Sequence, residues 1–559
     1  MKRAPAIVCS LVLATLALPC FADAVVTVCD GDVDQGPQTS LADAVQGGGT
    51  ITFQCPPQTV IAVTRAHRPP PYTILDGGNN VTLDAGARQL TMFSVGNGPL
   101  TLRHIRLTRG RSVVPGIGKA PPSLVNVREL YLTDVQIDAS QTPVVVQGAA
   151  RIEDSRFLNN TTALSIGGHG TVMRSVFAGN DRALNIDVGR VVGSRFERNR
   201  SGALHVGNSK GLVEIVDCTF VGNAPRGALQ LGQRSARDVQ GIVRVKNSTF
   251  RENRHEAGGG AITLVDLAEQ AAAQGLPASI VRAHRNLPPA SFELAHDHFI
   301  DNSGALAGAI HANLANSTGM KIRGGIFAGN VSAGDGGALA WSGRSLEITH
   351  SVFRGNRAGA RGGALRGSSP APGAAWAIAN SVVVQNESTA TSGAIDTPRA
   401  LINNVTIADN IGWGVVMDAG ASTAAQVANT ILSQNSSGNC RGVATAALHA
   451  GNVQFGAGDC ADAASFDPYL DSIYMPALGS EALYAGHVPT CQVAPVSAVD
   501  LLFRPRNHAD RCASGAYELP ALRPATRQAV LEHGPRDDKP PACPCEERPD
   551  DGGGGPDDE

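Results

Sequence analysis

The chain has 559 residues, including 64 Gly and 33 Pro, and its formal net charge is −3 at pH 7. Glycine exceeds its usual share of about 7% but follows no period of three, which excludes collagen. A hydrophobic content of 42% excludes a wholly disordered chain. The charge is close to neutral, which disfavours nucleic-acid and anionic-lipid binding. With 3 Trp and 6 Tyr, several compact cores would be hard to fill, so we predict a repetitive, thin-cored fold.

Residues 1–24 have the features of a secretory signal peptide. A basic start is followed by an apolar stretch over residues 7–18 and by the cleavage site Ala22-Asp23-Ala24. A lipoprotein anchor at Cys20 is the alternative, although Pro19 fits that motif poorly. No later stretch of 18 apolar residues occurs, so we expect an exported protein without a transmembrane helix.

Eleven cysteines include two in the signal peptide, which leaves nine in an oxidising compartment. Cys218 stands alone, and Cys543 and Cys545 lie in a Pro-rich tail. No Cys/His zinc spacing occurs, so no structural metal is expected. Proximity along the chain suggests three disulfides near the ends of the fold: Cys29 with Cys55, Cys440 with Cys460, and Cys491 with Cys512.

A repeated phrase, Phe-x-x-Asn, carries the fold prediction. An aliphatic residue precedes each copy by five positions, and a Gly-Ala-aliphatic or Ala-aliphatic phrase follows most copies. Three short apolar pieces in each repeat are typical of a right-handed parallel β-helix, whose strands pair with their counterparts one rung away at about 4.8 Å. The fold class is therefore all-β, a single-stranded solenoid with three short strands per rung. Eight copies have Phe, and three further copies keep the Asn but have Val383, Ile407 or Leu432 in place of Phe. The asparagines of these copies are Asn160, Asn180, Asn199, Asn223, Asn253, Asn302, Asn330, Asn356, Asn386, Asn410 and Asn435.

Two columns flank the Phe position. Two residues before it stand mostly serines, which we expect to stack inside the helix, and Cys218 falls in this column as a buried small residue. Three residues before it, we expect asparagines at a bend to hydrogen-bond from rung to rung. These are Asn247, Asn380, Asn404 and Asn429.

Residues 72–84 and 100–108 alternate apolar and polar residues, so the β-helix is expected to begin by about residue 60. The predicted organisation is a signal peptide over 1–24, an N-terminal cap over 25–59, the β-helix over 60–440, a C-terminal cap over 441–519 and a disordered tail over 520–559.

The alternation of Phe-x-x-Asn with Gly-Gly-Ala-Ile/Leu over residues 150–400 resembles the repeat of polymorphic outer-membrane proteins and related bacterial surface β-helices. Residues 39–53 are similar to the N-terminal motif of exported β-helix proteins, without its first Cys and its Arg-Glu. Residues 467–518 resemble the C-terminal segment of choice-of-anchor Q proteins, which implies surface attachment. The tail over 520–559 has no apolar segment or basic stop. The resemblance implies an exported protein, secreted or associated with the outer membrane.

Parallel β-helices also serve as pectin-lyase-like enzymes, so the fold alone does not decide the function. Glycoside hydrolysis needs two carboxylates about 5–9.5 Å apart, and lyases of this fold use Ca²⁺ with a basic proton acceptor. The outward column after each Gly-Ala-aliphatic phrase is polar but has no two acids as neighbours. It runs Ser165, Asn185, His205, Gln230, Thr263, His311, Ala340, Arg366 and Asp396.

Weak catalytic candidates remain. A 49-residue interval between Asn253 and Asn302 contains a predicted short helix over 265–275, which follows His255 and Glu256. We expect this insertion to have no role in binding or catalysis. A groove in which two or more side chains from a defined set lie within about 6 Å would favour an enzyme. That set is Asp154, Arg174, His205, Asp217, Asp238 and Glu256, and the catalytic candidates are His205, Asp217, His255, Glu256 and His311.

Two functions follow from the sequence. The first is a non-enzymatic, adhesin-like surface or secreted protein that binds a polysaccharide, a cell surface or another protein, as a monomer and without a cofactor. The second is a polysaccharide lyase or glycoside hydrolase, for which Ca²⁺ would be the expected cofactor. The ligand and the means of attachment stay open.

Overall fold

The computed structural model describes residues 23–518, apart from 34–37, 87, 89, 112–122, 208–210, 232–240, 266–290, 315–318, 369–374, 390, 418–425, 444–449, 458, 461–462 and 507–510. Nearly all regular structure is β-strand, and each strand pairs in parallel with a strand one repeat away. The prediction of an all-β, right-handed parallel β-helix is confirmed. Some predictions concern residues that the structure does not describe. The tail over 520–559, with Cys543 and Cys545, lies wholly outside the described residues, and of the predicted helix over 265–275 only residue 265 is described.

Each rung contributes to three parallel sheets, which we name after the repeat. The Phe sheet carries the Phe position, the pre-Phe sheet precedes it, and the Gly-Ala sheet follows the Gly-Ala turn. Seven long strands contribute to more than one sheet. Phe93–Thr108 and Val125–Asp138 run through all three sheets. Five others contribute to two sheets: Thr73–Asp84, Thr162–Met173, Arg182–Val192, Ala375–Val384 and Leu401–Ala408.

The other strands belong to one sheet each. The Gly-Ala sheet contains Val144–Val146, Leu204–Val206, Leu229–Leu231, Ile262–Val265, Ile310–Leu314, Leu339–Gly343, Leu365–Ser368, Gly393–Asp396, Trp413–Val416 and Gly438–Arg441. The pre-Phe sheet contains Ala24–Val26, Thr50–Phe53, Ala150–Glu153, Leu212–Val216, Ile242–Lys246, Ser291–Ala295, Gly319–Arg323, Ser345–Thr349 and Gln426–Ala428. The Phe sheet contains Thr59–Ala62, Arg156–Leu158, Val176–Ala178, Arg195–Glu197, Thr219–Val221, Thr249–Arg251, His298–Ile300, Ile326–Ala328, Val352–Arg354, Ile431–Ser433, Val453–Phe455 and Ala464–Ser465.

A short fourth ladder lies at the turn between the Phe and Gly-Ala sheets. Its strands are Arg254–His255, Ser303–Gly304, Val331–Ser332 and Arg357–Ala358. The described helices are short: α-helices span Leu41–Gly47 and Val488–Gln492, and a 3₁₀ turn spans Glu481–Leu483. The Ser40 side chain caps the first helix by accepting a hydrogen bond from the Asp43 N–H.

The core of the solenoid is a stack of phenylalanine rings. Eight successive rings, from Phe157 to Phe353, lie with centroids 4.6–5.0 Å apart and are tilted by no more than 7°. Each of these side chains is fully buried. Most of the few aromatic residues of the repeat therefore lie in one continuous column. Each ring in this column packs against the rings of the rungs above and below and stabilises them.

The asparagine ladder differs from our prediction. It is formed by the Asn of Phe-x-x-Asn and not by the position three residues before Phe. The Asn180 Oδ1 accepts from both the backbone N–H and the side-chain Nδ2 of Asn160, and the Asn180 Nδ2 donates to the Phe157 carbonyl. The pattern recurs along the column to Asn435. Every member can satisfy its amide because its two partners lie one rung above and one rung below.

The predicted asparagine column has another arrangement. Asn380, Asn404 and Asn429 lie at a bend with positive φ, as do Asp154 and Arg174 of earlier rungs. Two rung-to-rung contacts are present: Asn429 donates to Asn404 at 3.3 Å, and the Asn380 Nδ2 lies 3.5 Å from the Nε2 of His350, which holds this position one rung earlier. The other side-chain amide bonds run to the C-terminal segment. The position favours Asn because this residue tolerates the left-handed region, which confirms that the column faces a bend.

The small-residue column is confirmed. The Ser175 Oγ accepts from the Ser155 N–H and donates to the Met173 carbonyl. Cys218 occupies the same position, is fully buried, and its pKa is raised to about 12 by burial. Asp297 also replaces a serine here and accepts from the N–H groups of Ser248 and Ala295. The thiol is therefore a packing residue, since a reactive cysteine needs an accessible thiolate.

All three disulfides suggested by proximity are present: Cys29–Cys55, Cys440–Cys460 and Cys491–Cys512. The first lies at the N-terminal end, where Ala24–Val26 pairs in parallel with Thr50–Phe53. Parallel pairing thus reaches into the segment that we assigned to the N-terminal cap.

The C-terminal segment, residues 466–518, packs along the last rungs. Tyr474, Leu501 and Tyr517 bury apolar surface against Val382 and Val384, whose side chains project outward from the Phe sheet. The buried Arg506 donates to Asn380, Glu518 and backbone carbonyls of its own segment. The segment therefore covers the flank of the terminal rungs.

Candidate functional site

The outer face of the pre-Phe sheet carries charges of alternating sign. Successive rungs place Arg190 beside Glu214, Glu214 beside Arg244, and Arg244 beside Glu293. The nitrogen–oxygen distances of these pairs are 3.7, 3.3 and 2.6 Å. Because the charges neutralise one another, this face offers little to a charged ligand.

The outer face of the Gly-Ala sheet is more enclosed, since turns before its strands contact the outward side chains. Gln230 Nε2 donates to the Arg226 carbonyl, and Thr263 Oγ1 donates to the Gly259 carbonyl. These turns lie close together: a Cβ at Gly308 would come within 1.9 Å of the Gly337 carbonyl oxygen. The predicted polar column forms the floor beneath the turns. Gln230, Thr263 and Asp396 are buried there, although they point away from the core.

A groove of about 260 Å³ opens over this floor. Four consecutive rungs supply Ser165, Asn185, His205 and Gln230 to its base. The groove therefore runs along the axis of the solenoid for three rung spacings, or ~14 Å. Its walls include Thr162, Arg182, Ser201 and Arg226.

His205 lines the groove, and one of its ring nitrogens has no partner among the described residues. Its Nδ1 lies 2.8 Å from the Asn185 Oδ1. The Asn185 Nδ2 donates to the Ser165 Oγ, so the amide oxygen is free to accept and the imidazole proton resides on Nδ1. The Nε2 atom is buried and has no hydrogen-bond partner among the described residues. Burial, aided by Arg182, lowers the pKa of His205 to about 4, so the ring is neutral at pH 7.

Two arginines flank the same groove. Arg182 is the first residue of the strand that contains Leu184, and Arg226 precedes the strand that contains Leu229, two rungs further on. Both side chains are exposed. Among the described residues, neither has a carboxylate within ion-pair distance. The neighbouring Arg200 differs, because it pairs with Asp181 at 3.4 Å.

His255 and His311 form a second polar cluster further along. His311 lies two rungs beyond Gln230 in the floor column, next to Thr263. Burial lowers the pKa of each imidazole to about 4, helped by Arg226 for His255 and by His255 for His311. The Nδ1 of His255 accepts from the Ala257 N–H, which leaves His255 Nε2 and His311 Nδ1 buried without partners among the described residues.

Asp217 and Glu256 are not brought into the groove. Asp217 lies exposed at the left-handed bend before the Phe sheet. Glu256 is exposed and pairs with Arg254 at 3.4 Å. The five catalytic candidates therefore divide into one groove residue, two neighbouring histidines and two unrelated surface acids.

Among the described residues of the set that would favour an enzyme, Asp154 and Arg174 are in direct contact. Asp154 and Arg174 form two hydrogen bonds of 2.7 Å, but they do so at the bend and outside the groove. Arg174 holds the pKa of Asp154 below its usual value. Asp238 lies outside the described residues. This ion pair links two rungs and provides neither a second carboxylate nor a free base.

A second groove of about 520 Å³ lies over the bends of the first rungs, lined by Asn79, Asn80, His104 and Arg106 among others. His104 is paired with Asp76 at 3.0 Å. Arg106 makes two bonds to Asp138. These groups are already engaged within the fold, so the groove over the Gly-Ala sheet is the better candidate.

The described lining of the candidate groove carries polar side chains and no carboxylate. Its described lining contains amides, hydroxyls, an imidazole and two guanidinium groups, but no Asp or Glu. The two carboxylates of glycoside hydrolysis are therefore not among these groups. Within the described ranges, no three His, Cys, Asp or Glu side chains are arranged to hold a metal ion. In the same residues, no helix has the length and apolar character needed to cross a membrane.

The sequence pattern predicted the floor of the groove but missed its walls. The floor follows from strand alternation after the Gly-Ala phrase. Arg182 and Arg226 stand two and three residues before the aliphatic of that phrase, and this offset is the signal that would have found them.

Comparison with known proteins adds little to the site. No family model matches the chain, and no curated protein matches it. The crystal structure of tailspike protein 3 from bacteriophage CBA120 is similar at a TM-score of 0.30 and 12% identity, covering 75% of this chain. The chain spans 58% of that structure's length. A likeness at this level does not bear on function.

Proposed function

We propose that this protein is an exported, surface-exposed or secreted β-helix that binds a polysaccharide in the groove over the Gly-Ala sheet, without catalysis and without a cofactor. The observation that carries the proposal is the row of hydroxyl, amide and imidazole side chains that four rungs place along the groove floor, where the buried Nε2 of His205 has no partner among the described residues. Sugar hydroxyls are donors and acceptors that fit such a row. The resemblance of the repeat to polymorphic outer-membrane proteins supports a location at the cell surface.

The dimensions of the groove support the same ligand class. It extends over four rungs, and a rung spacing of ~4.8 Å is close to the length of one sugar unit in an extended chain. Each sugar would meet one polar side chain from the floor. A short linear segment of a polysaccharide therefore suits the groove better than a compact metabolite.

Affinity electrophoresis of the purified protein through gels that contain different polysaccharides tests the proposal. We expect at least one polymer to retard the native protein, and His205→Ala to bind about tenfold more weakly through loss of one hydrogen-bond acceptor. His298→Ala, on the exposed face of the Phe sheet, is the matched control and should bind like the native protein. Equal binding by His205→Ala, or no retardation by any polymer, would contradict the proposal.

A second assay separates binding from catalysis. The protein is incubated with each retarding polymer, with and without Ca²⁺, and new unsaturated or reducing ends are measured. We expect none. Their appearance would show that the protein is a lyase or a hydrolase.

A further inference from the structure

The charges at the groove indicate which class of polysaccharide would bind there. We propose that the polysaccharide is acidic and that Arg182 and Arg226 bind its carboxylate groups; this inference rests on the proposed function. Both arginines line the groove. The described lining contains no acidic side chain to neutralise them.

Neither of these two charges is paired with a carboxylate among the described residues. Elsewhere on the solenoid, arginines on neighbouring rungs pair with acids, as Arg174 does with Asp154 and Arg244 with Glu293. Even Arg200, one turn away from the groove, is paired with Asp181. Arg182 and Arg226 depart from this pattern at the groove where the buried Nε2 of His205 also lacks a partner among the described residues. A guanidinium group matches a carboxylate through two parallel hydrogen bonds.

The spacing of the arginines suits a regular polymer. Leu184, Leu204 and Leu229 are in register on successive rungs, so the two arginines begin two rungs apart, or ~9.6 Å along the axis. This distance is close to two sugar units of an extended chain. Carboxylates on alternate or on all sugars could therefore meet both guanidinium groups at once, while His205 accepts from a hydroxyl between them.

The probes are matched pairs of polymers: polygalacturonate with its methyl ester, and dextran with dextran sulfate. We expect polygalacturonate to bind at least tenfold more tightly than its ester, because hydrogen bonds to charged groups are the stronger ones. Raising the salt concentration should weaken binding of the acid and leave binding of the ester nearly unchanged.

The variants are Arg182→Gln, Arg226→Gln and the double variant, with Arg200→Gln as the matched control. We expect each single change to weaken polygalacturonate binding about tenfold and the double change to abolish the preference over the ester. Arg200→Gln should bind like the native protein. All three positions are exposed, and thermal unfolding followed by circular dichroism verifies that each variant is folded.

The outcomes separate this inference from the proposed function. If the ester and dextran bind as well as the acid, and His205→Ala still weakens binding, the groove binds neutral glycans and the inference is wrong. If dextran sulfate alone shows the arginine-dependent preference, sulfate replaces carboxylate as the group recognised and the inference as stated is also wrong. If no polymer binds, both proposals fail.

Discussion

At the residue scale, the repeat is strict where a side chain contacts its own copy in the next rung. Phe, Asn and Ser recur at the three positions whose side chains stack or hydrogen-bond between rungs. Cys218 and Asp297 each replace serine in the small-residue column. Cys218 fits its column because a thiol is only slightly larger than a hydroxyl, whereas Asp297 places a carboxyl in a fully buried serine position.

Asp297 should make stability depend on pH. Burial raises its pKa to about 7 from 3.8, against the effect of its two backbone donors. Between these values the folded state binds more protons than the unfolded state, so the free energy of unfolding falls as the pH rises to about 7. We expect Asp297→Ser to be more stable than the native protein by roughly 2–4 kcal/mol at pH 8 and nearly equal to it at pH 4.

Urea denaturation at both pH values measures this difference. The serine keeps an acceptor for the Ser248 N–H, as the other serines of the column do. Asp301→Asn, at an exposed bend of the same rung, serves as the control and should show no such dependence. A stability gain for Asp297→Ser that is the same at pH 4 and pH 8 would contradict the assignment.

At the element scale, the asparagine ladder stabilises the turn between the Phe and Gly-Ala sheets. Each amide joins three rungs, since it bonds to the asparagines on both sides and to a Phe carbonyl. For Asn223 these partners are Asn199, Asn253 and the Phe196 carbonyl. The ladder is buried along its whole described length, so none of its groups can turn to water instead.

Removal of one member should therefore be costly. We expect Asn223→Ala to lower the free energy of unfolding by about 3 kcal/mol, because it leaves several buried donors and acceptors unsatisfied. Asn126→Ala is the matched control, since that side chain lies on an outer face and makes one exposed bond of 3.3 Å to Gln147. The urea midpoint measures both. Similar small losses for the two variants would show that the ladder contributes little.

At the scale of the whole molecule, the C-terminal segment differs from the stack that it covers. Its contacts join residues far apart in sequence, such as Arg506 with Asn380 and Ser514 with Gly451. The disulfide Cys491–Cys512 closes a loop inside this segment and lies against the Asn404 and Asn429 amides. This disulfide therefore supports the segment on the flank of the terminal rungs.

Loss of that disulfide should loosen one end of the molecule only. A loop of 21 residues corresponds to about 3 kcal/mol of stabilisation. In the variant Cys491→Ser/Cys512→Ser, we expect faster amide hydrogen exchange in residues 401–435 and 466–518, and unchanged exchange in residues 150–200. Cys29→Ser/Cys55→Ser should leave both C-terminal regions protected. Faster exchange throughout the solenoid would contradict this localisation.

The sequence alone determined the repeating unit of the fold and the residues that stack from one rung to the next. In a β-helix a residue contacts its counterpart one period away, so a recurring Phe, Asn or Ser predicts a column directly, and half-cystines close in sequence predict disulfides. It did not decide which asparagine forms the ladder, because both candidate positions recur with the same period. Backbone geometry separates them, since one faces the interior and the other turns outward at a left-handed bend.

The groove and the flank were decided only by the tertiary structure. Whether a turn folds over a sheet depends on the close approach of successive turn backbones, as at Gly308 and Gly337, and periodicity does not encode this approach. The same holds for Arg182 and Arg226, which meet at one groove through the stacking of turns of different length. The C-terminal segment has no repeat at all, so its place beside Asn380 depends on contacts between residues 126 positions apart.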